Sequence, residues 1–437
     1  MREINITADE LVASLLRISE TECVCLLDSC GVGNLGSHLL IAGIDPVETV
    51  EISDDDPAET LAKIDEYTSS DLACIFSISY DFGQKLLGLK TREKEFGGLA
   101  EPDVFVACFD VLVFHDYDTG KTFLTGNDDK FDAIWSKLTS SIENTGLDTD
   151  TSAAEITFNF TRSSYIASIE TIKERIRSGD TYQTNLTQQL STYLPDDLST
   201  QQIFLRLRRD HPAPFAAFLK RQNSTVVSAS PERFFKVDAD RTISTSPIKG
   251  TRPRGATEAE DKALRQELLT SKKDLAENTM IVDLLRNDLG RVCEYGSVEV
   301  EKLCELEEHP TFLHLVSTVN GKLRENIKMS EILRAVFPCG SITGAPKIST
   351  MRIIDEIETA RRGLSMGAIG YSIRNLKFGI PNCIDLSVAI RTAVIRDQTM
   401  TFNVGGGIVI DSDPESEYVE TLTKAKALLA AIGGKLS

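Results

Sequence analysis

The chain has 437 residues, of which 41% are hydrophobic and 26% are charged, a composition typical of a globular protein with one large domain or two domains. Its formal net charge of -19 argues against a nucleic-acid-binding protein, which would have a basic surface. No apolar segment reaches the ~18 residues of a membrane span, and the N-terminus lacks the apolar core of a signal peptide, so no membrane association is expected.

The first region, residues 1–150, alternates strand and helix patterns. β-branched or aromatic runs predict strands at 24–29, 37–43 and 103–117. The apolar spacing of 55–69 predicts a helix. Residues 146–155 are polar, small and without periodicity, which is typical of a linker. A domain boundary is therefore expected at about residue 150.

The second region, residues 151–437, has more regular patterns. Helices are predicted at 163–180, from Glu258 to Arg291 without interruption, and after Asp413 and Pro414 near the C-terminus. Strand patterns follow one another at 367–375, 383–397 and 399–410. Because strands and helices are intermixed without a strict βαβ rhythm, the predicted fold class is α+β with largely antiparallel sheets.

The segment SPIKGTRPRG, residues 246–255, interrupts these patterns with proline and glycine and predicts a shaped loop. It contains one lysine, Lys249, among small and apolar neighbours, which makes this amine a candidate for chemistry. Glu232 follows an earlier strand pattern. An acid and an amine brought together by a strand–turn–strand could divide proton transfer and nucleophilic attack between them.

The C-terminal helix is predicted to place Glu417, Glu420 and Lys424 on one face. The simpler interpretation is a solvated face with a Glu420–Lys424 ion pair of small stabilising effect. However, the helix begins shortly after three consecutive glycines, at 405–407, whose backbone N–H groups are open to a close-lying ligand. Bare amides beside glutamates suit a carboxylate substrate and a divalent cation such as magnesium.

Four further residues each have two interpretations. Glu277 is either one more exposed glutamate or a second acidic group of the site. Thr343, in the segment 340–347, marks either a simple capped helix or a helix start with outward amides that bind an anion. His314 interrupts an apolar strand pattern and is either a buried structural histidine or a functional one. Arg391 interrupts a second apolar strand pattern. It must be paired or face a ligand, because unpaired burial of a charge is unfavourable.

Taken together and in order, these motifs resemble the chorismate-utilising enzymes, a family that includes component I of anthranilate synthase, component I of aminodeoxychorismate synthase and isochorismate synthase. The resemblance rests on GDTYQTNL (179–186), SPERFF (230–235), PIKGTRPRG (247–255), ENTMIVDLLRNDLGR (277–291), HLVS (314–317), GSITGAPK (340–347), GAIGY (367–371) and GGGIVIDSDPESEYVE (405–420). It implies an anthranilate synthase component I-like fold, a sandwich of largely antiparallel sheets flanked by helices.

The resemblance also implies site residues. Magnesium would be held by Glu277 and Glu420, with Glu417 close by. Chorismate would be held or surrounded by Arg391, Gly405, Gly406, Lys424, Thr343, Tyr371, His314 and Gln183. Glu232 matches the general acid that protonates the departing C4 hydroxyl group of chorismate.

Two positions indicate the branch of the family. Isochorismate synthases and salicylate-forming enzymes have a water-activating lysine where this chain has Gln183, so ammonia is the expected nucleophile. Anthranilate synthases typically read PIAGT where this chain reads PIKGT, so Lys249 indicates the aminodeoxychorismate synthase branch, which serves 4-aminobenzoate and folate biosynthesis. There the lysine is implied to attack C2 of chorismate, and ammonia to enter at C4 and expel it. Anthranilate synthase component I and a non-catalytic chorismate- or tryptophan-binding subunit are the alternatives.

The resemblance has implications for partners and for the N-terminal region as well. No segment resembles a glutamine amidotransferase, so a separate glutaminase subunit would supply the ammonia. The segments LLDS and GSHLLIAG resemble a tryptophan-binding region of relatives, with Asp28, Ser29 and Ser37 as its candidate residues and His38 in place of an arginine. The nine cysteines are scattered, without zinc spacing, which favours reduced thiols and a cytoplasmic location.

Overall fold

The fold is taken from a computed structural model, which describes residues 1–33, 38–53, 56–96, 101–140, 155–308, 312–379 and 383–434. The α-helices of these residues are α1 (Ala8–Ile18), α2 (Pro57–Thr68), α3 (Tyr80–Leu86), α4 (Phe131–Thr139), α5 (Arg162–Arg177), α6 (Thr200–Asp210), α7 (Glu258–Thr270), α8 (Lys272–Gly290), α9 (Met329–Val336), α10 (Lys347–Ile357) and α11 (Pro414–Ala431). The strands up to residue 230 are β1 (Arg2–Ile4), β2 (Val24–Asp28), β3 (Leu39–Ile44), β4 (Glu48–Ile52), β5 (Ala73–Ile78), β6 (Val104–Phe109), β7 (Val111–Asp116), β8 (Lys121–Gly126), β9 (Ile156–Phe158), β10 (Gln183–Tyr193), β11 (Phe215–Lys220) and β12 (Thr225–Ser230). The later strands are β13 (Arg233–Val237), β14 (Thr242–Thr245), β15 (Ile248–Pro253), β16 (Glu299–Glu308), β17 (Phe312–Lys322), β18 (Gly344–Ala345), β19 (Ala368–Ile373), β20 (Cys383–Val388), β21 (Thr392–Arg396) and β22 (Thr399–Ile408).

These strands form two sheets. The first has the order β1-β8-β7-β3-β2-β11-β12-β21-β22-β10-β18, with β9 also paired to β10. The second has the order β15-β17-β14-β13-β20-β19-β5-β6-β4, with β16 also paired to β17. Every pairing between these described strands is antiparallel. The predicted α+β class with largely antiparallel sheets is confirmed.

The two sheets face each other across a shared core and are covered by helices on their outer faces. The shared core combines Ile41 and Val226 of the first sheet with Ile75 and Phe105 of the second. A second core packs α1, α4, α6 and α11 on the first sheet, and a third packs α2, α8 and α9 on the other. Burial of these apolar faces is the main stabilising contribution.

Both sheets contain strands from before and after residue 150. Strand β2 pairs with β11, and β5 pairs with β19. The regions 1–150 and 151–437 therefore build one sandwich together, and the expected boundary does not separate two sets of sheets. The predicted linker lies outside the described residues, apart from Glu155.

The predicted continuous helix from Glu258 to Arg291 is two helices, α7 and α8, which meet at Ser271. The Ser271 hydroxyl accepts the backbone N–H of Asp274 and so caps the start of α8. Neither glycine nor proline marks this break, which is why the sequence pattern did not reveal it. The break orients α8 independently of α7, and α8 carries Glu277.

The predicted loop at 246–255 contains an edge strand, β15, paired with β17. The pairing shifts register between Ile248 and Thr251, and Gly250 has a φ of +82°. Edge strands tolerate proline and irregular register, so the Pro/Gly content did not exclude a strand here. Lys249 lies within this irregularity.

The predicted helix start around Thr343 is also different. Residues Gly344 and Ala345 form β18, which pairs with Gln183 and Thr184 of β10, and α10 begins only at Lys347. These two residues therefore extend the first sheet instead of opening a helix. The pairing brings the segment 340–347 next to Gln183.

The composition led to expectations about membrane spans and about cysteines. None of the helices in the described ranges is long and apolar enough to cross a membrane. All nine cysteines are free.

Candidate active site

The end of β22 and the first turns of α11 bring glycines and carboxylates together. A Cβ at Gly406 would lie 3.3 Å from Glu417 Oε2, 3.8 Å from Glu420 Oε1 and 3.8 Å from Lys424 Nζ. Lys424 donates to the Gly405 carbonyl at 2.9 Å and forms an ion pair with Glu420 at 2.8 Å. Helix α11 starts where it does because Asp413 caps it and Pro414 occupies its first turn. The glycine keeps the space beside these charged groups open.

Glu277 and Glu417 meet at a lysine that the sequence analysis did not select. Lys273, in α8, donates to Glu417 Oε1 at 2.9 Å and lies 3.9 Å from Glu277 Oε1. The Ser412 hydroxyl donates to the same Glu417 oxygen at 2.7 Å. Glu277 Oε1 is buried and has no hydrogen-bond partner among the described residues. Helices α8 and α11 are thus connected through one acidic cluster, which we define as Glu277, Glu417 and Glu420.

The charges of this cluster influence one another. Burial raises the pKa of Glu277, and the positive charges of Lys249 and Lys273 oppose that rise. Burial also acts to raise the pKa of Glu420, but the contact with Lys424 and the charges of Lys273 and Lys249 lower it overall. Glu420 is therefore held ionised, while Glu277 has an oxygen, Oε1, that accepts no hydrogen bond from the described residues.

Magnesium takes hard carboxylate oxygens and retains several waters. In the described part of the chain, no group of three or more His, Cys, Asp or Glu side chains is arranged so that it could hold a metal ion. The donor chemistry nevertheless fits. Glu277 has a buried oxygen without a partner, and Glu417 and Glu420 both approach the open space at Gly406.

Lys249 and Glu232 meet at Ser341. Lys249 Nζ donates to the Ser341 carbonyl at 3.2 Å, and the Ser341 side chain lies close enough to the Glu232 carboxyl group to act on its pKa. Glu232 is 5% exposed, and its Oε1 has no hydrogen-bond partner within the described ranges. Burial raises the pKa of Glu232, against the effects of Ser341, Lys249 and Lys424. The structure thus brings together the acid and the amine that the sequence analysis paired.

Three other predicted residues lie next to these groups. Gln183 lies against Gly407, where a Cβ would come within 2.1 Å of its Nε2, and its buried Oε1 has no partner among the described residues. His314 lies on β17 opposite β15, and its Nδ1 is 2.9 Å from the Thr251 hydroxyl. The Thr343 hydroxyl donates to a carbonyl of its own loop at 3.0 Å. The Thr343 hydroxyl is thus engaged within its own loop, and contact of Gln183 and His314 with a substrate stays a prediction.

Arg391 lies in the turn between β20 and β21 with a φ of +49°. Its guanidinium forms no hydrogen bond or ion pair with any described residue. Burial lowers the pKa of Arg391. The pKa of His211 is lowered first by its own burial and then by the positive charge of Arg391. A half-buried guanidinium without a carboxylate partner among the described residues is suited to bind an anion.

The expected place of Tyr371 in the substrate pocket stays a prediction. Its side chain belongs to the core between the sheets, because the alternation along β19 directs it there. It lines a second cavity together with Asp28 and Ser29. The structure therefore groups Tyr371 with N-terminal residues and not with Lys249.

The residues of the second cavity differ in how they are engaged. Asp28 is buried and accepts hydrogen bonds from Arg208 at 2.8 Å, from the Tyr117 hydroxyl at 2.7 Å and from the Cys30 backbone N–H at 2.8 Å. The buried Ser29 hydroxyl has no partner among the described residues. Ser37 lies outside those residues. Tryptophan binding here stays a prediction.

Sequence reasoning missed Lys273, Ser341 and Ser412. Lys273 precedes Glu277 by one helical turn, and this i,i+4 spacing was the available signal. Ser341 and Ser412 gave no signal, because their contacts with Glu232 and Glu417 depend on how the loops fold.

Comparisons with known proteins agree on the family. The chain matches the family model described as "chorismate binding enzyme" over residues 23–430. It is 40% identical over 355 residues to aminodeoxychorismate synthase component 1 of Escherichia coli (strain K12). That alignment covers 80% of this chain and 74% of the Escherichia coli protein. It is 43% identical over 280 residues to an aminodeoxychorismate synthase of Streptomyces pristinaespiralis. That alignment covers 64% of this chain and 38% of the Streptomyces protein. The chain thus spans well under two thirds of the length of several relatives that it matches.

The fold agrees with these matches. The crystal structure of anthranilate synthase component I from Streptococcus pneumoniae TIGR4 superimposes with a TM-score of 0.75 at 27% identity, covering 91% of this chain and 93% of that one. The family match includes Glu232, Lys249 and the acidic cluster. The chain belongs to the chorismate-binding enzymes.

Proposed function

We propose that this chain is component I of an aminodeoxychorismate synthase, which converts chorismate and ammonia to 4-amino-4-deoxychorismate for 4-aminobenzoate and folate biosynthesis. The observation that supports this branch is the position of Lys249, whose amine shares Ser341 with the carboxyl group of Glu232. The Escherichia coli and Streptomyces relatives named above support the same activity.

Substrate binding is assigned to the groups around Gly406. Lys424 and the backbone amides at 405–407 would bind one carboxylate of chorismate, and Arg391 would bind the other as a bidentate partner. Glu277 and Glu420 would hold magnesium, with Glu417 close by. Magnesium, when bound there, supplies positive charge that attracts a substrate carboxylate within this acidic chain.

Proton transfer and covalent catalysis are assigned to Glu232 and Lys249. The protonated carboxyl group of Glu232 gives its proton to the C4 hydroxyl, which leaves as water while the Lys249 amine forms a bond to C2 and the two ring double bonds shift. Ammonia then bonds to C4, both double bonds shift back, and the C2–N bond breaks. Lys249 is released as an amine, and the surplus proton of the added ammonia returns to Glu232. Chorismate and ammonia thereby give 4-amino-4-deoxychorismate and water.

Anthranilate synthase component I is the competing assignment, and the likeness to the Streptococcus structure supports it. That reaction adds ammonia at C2 and eliminates pyruvate, so it needs no amine nucleophile from the protein. Lys249 would have no role in it, which is why we prefer the first assignment.

The test is a product assay with the purified chain, chorismate, magnesium chloride and an ammonium salt, analysed by liquid chromatography and mass spectrometry. We expect 4-amino-4-deoxychorismate, and loss of turnover when magnesium is removed with a chelator. Anthranilate, detected by its fluorescence, would contradict the assignment. Chorismate left unchanged would favour the non-catalytic binding subunit.

The ammonia donor is proposed to be a separate glutaminase subunit. Glutamine in place of the ammonium salt is then expected to give no product with this chain alone. Turnover with glutamine alone would show that this proposal is wrong.

Arg391→Met is expected to weaken chorismate binding and to stabilise the protein. Loss of a charged hydrogen-bonding group to the substrate should raise KM by about 30-fold or more, since such contacts contribute roughly 2–5 kcal/mol. The same change removes from a half-buried position a guanidinium that has no partner among the described residues, so the midpoint of thermal unfolding should rise. Arg391→Lys, which retains the charge, is the control for unfolding. An unchanged KM in Arg391→Met would exclude this arginine from the substrate site.

A further inference from the structure

The side chain of Lys273 lies at the centre of the acidic cluster. Its ammonium group donates to Glu417 at 2.9 Å, lies 3.9 Å from Glu277 and interacts electrostatically with Glu420. It is therefore, with Lys424, one of the protein's own cations at the three carboxylates that we assign to magnesium.

Lys273 reaches the cluster from the solvent side. Its side chain is 44% exposed, whereas the side chains of Glu277 and Glu417 are 12% and 5% exposed. A lysine has a flexible stem and a strongly hydrated ammonium group, so it can move into water at low free-energy cost. Glu417 would keep its position after such a movement, because Ser412 donates to the same oxygen.

The other lysine of the cluster is held differently. Lys424 donates to the Gly405 carbonyl as well as to Glu420. Its Nζ would lie 3.8 Å from a Cβ at Gly406, so both contacts are beside the open space there. The three negative charges of the cluster are balanced by Lys424 and one divalent cation together. With Lys273 also in place, the site would have an excess positive charge at short range, which is unfavourable in a partly buried position.

We propose that Lys273 is a built-in counter-ion that a divalent cation displaces. In the absence of the metal it offsets part of the negative charge of Glu277 and Glu417 and connects α8 with α11. When the metal binds, Lys273 leaves the cluster for solvent, so the metal must compete with it. Lys273 is thus a positioning residue that sets metal affinity and does not act on the substrate. The inference rests on the proposed magnesium site.

The test is calorimetric titration of the intact chain with magnesium chloride, without chorismate. We expect Lys273→Met to bind Mg²⁺ about tenfold more tightly than the unmodified protein, because no ammonium group competes for the carboxylates. Lys273→Arg, which keeps a charge at this position, should not gain affinity. Lys272→Met is the matched control, because Lys272 precedes Lys273 on the same helix and forms no ion pair or hydrogen bond with the described residues.

A second measurement uses the unmodified protein and so does not depend on the folding of a variant. Acetylation by acetic anhydride, followed by peptide mass spectrometry, should modify Lys273 faster when Mg²⁺ is present, while Lys272 is unaffected. Equal or weaker Mg²⁺ binding by Lys273→Met, or unchanged acetylation of Lys273, would overturn the inference alone. Absence of Mg²⁺ binding to every variant, with and without chorismate, would overturn the metal site together with it.

Discussion

Replacing Lys249 with alanine is expected to lower the rate of 4-amino-4-deoxychorismate formation by about 10³-fold or more, the scale seen when a covalent nucleophile is removed. The amine lies 3.2 Å from the Ser341 carbonyl and beside Glu232, and among the described residues we assign no second nucleophile there. KM for chorismate should change little, because the carboxylates are assigned to other groups. The measurement is the initial rate with chorismate, magnesium and ammonium, followed by liquid chromatography and mass spectrometry.

The covalent step has its own signature. Without ammonia, the unmodified protein should accumulate an adduct with the mass of chorismate minus water, and proteolysis should locate it at Lys249. Lys262→Ala, at an exposed position of α7, is the control and should behave like the unmodified protein. If Lys249→Ala forms the product at an undiminished rate, the lysine has no part in the mechanism.

Replacing Glu232 with glutamine is expected to lower kcat by about 10²–10⁴-fold, the usual contribution of a general acid. Glutamine has nearly the same shape but cannot donate the proton that the C4 hydroxyl needs in order to leave. Burial raises the pKa of Glu232, so its protonated form persists to higher pH than in an exposed glutamate. The rate of the unmodified enzyme should therefore fall as pH rises through this pKa, and the pH–rate profile of Glu232→Gln should lack that limb.

Two controls separate this role from a structural one. Glu232→Asp retains a carboxyl group and should keep the alkaline limb at a reduced rate. The midpoint of thermal unfolding of Glu232→Gln should stay the same or rise, since the buried Oε1 has no hydrogen-bond partner to lose within the described ranges. An unchanged pH–rate profile in Glu232→Gln would assign the acid to another group.

Local patterns were enough to predict many of the elements. The runs at 24–29 and 163–180 appear as β2 and α5, because apolar periodicity reports which face of an element is buried. The run at 103–117 appears as two strands, β6 and β7, which belong to different sheets and separate at Asp110. Periodicity does not distinguish one long strand from two, since residues on both sides of Asp110 are buried.

Breaks without glycine or proline, and strands that contain both, were the systematic errors. Ser271 ends one helix and starts the next through a single side-chain hydrogen bond, which has no periodic signature. β15 forms in spite of Gly250 and Pro253 because an edge strand has one partner, β17, and needs only part of its hydrogen bonds.

From the sequence alone, ordered motifs led to the family, and residue types indicated the chemistry: an amine at Lys249, an acid at Glu232, and glutamates beside glycines. Both inferences depend on the identity of residues at short spacing, which a sequence displays directly. Tertiary structure decided which distant groups meet. It placed Lys273 between Glu277 and Glu417, brought Lys249 and Glu232 together at Ser341, and placed Tyr371 at the cavity of Asp28 and Ser29. Such contacts result from how α8, α11 and the two sheets pack, and packing depends on residues far apart in the chain.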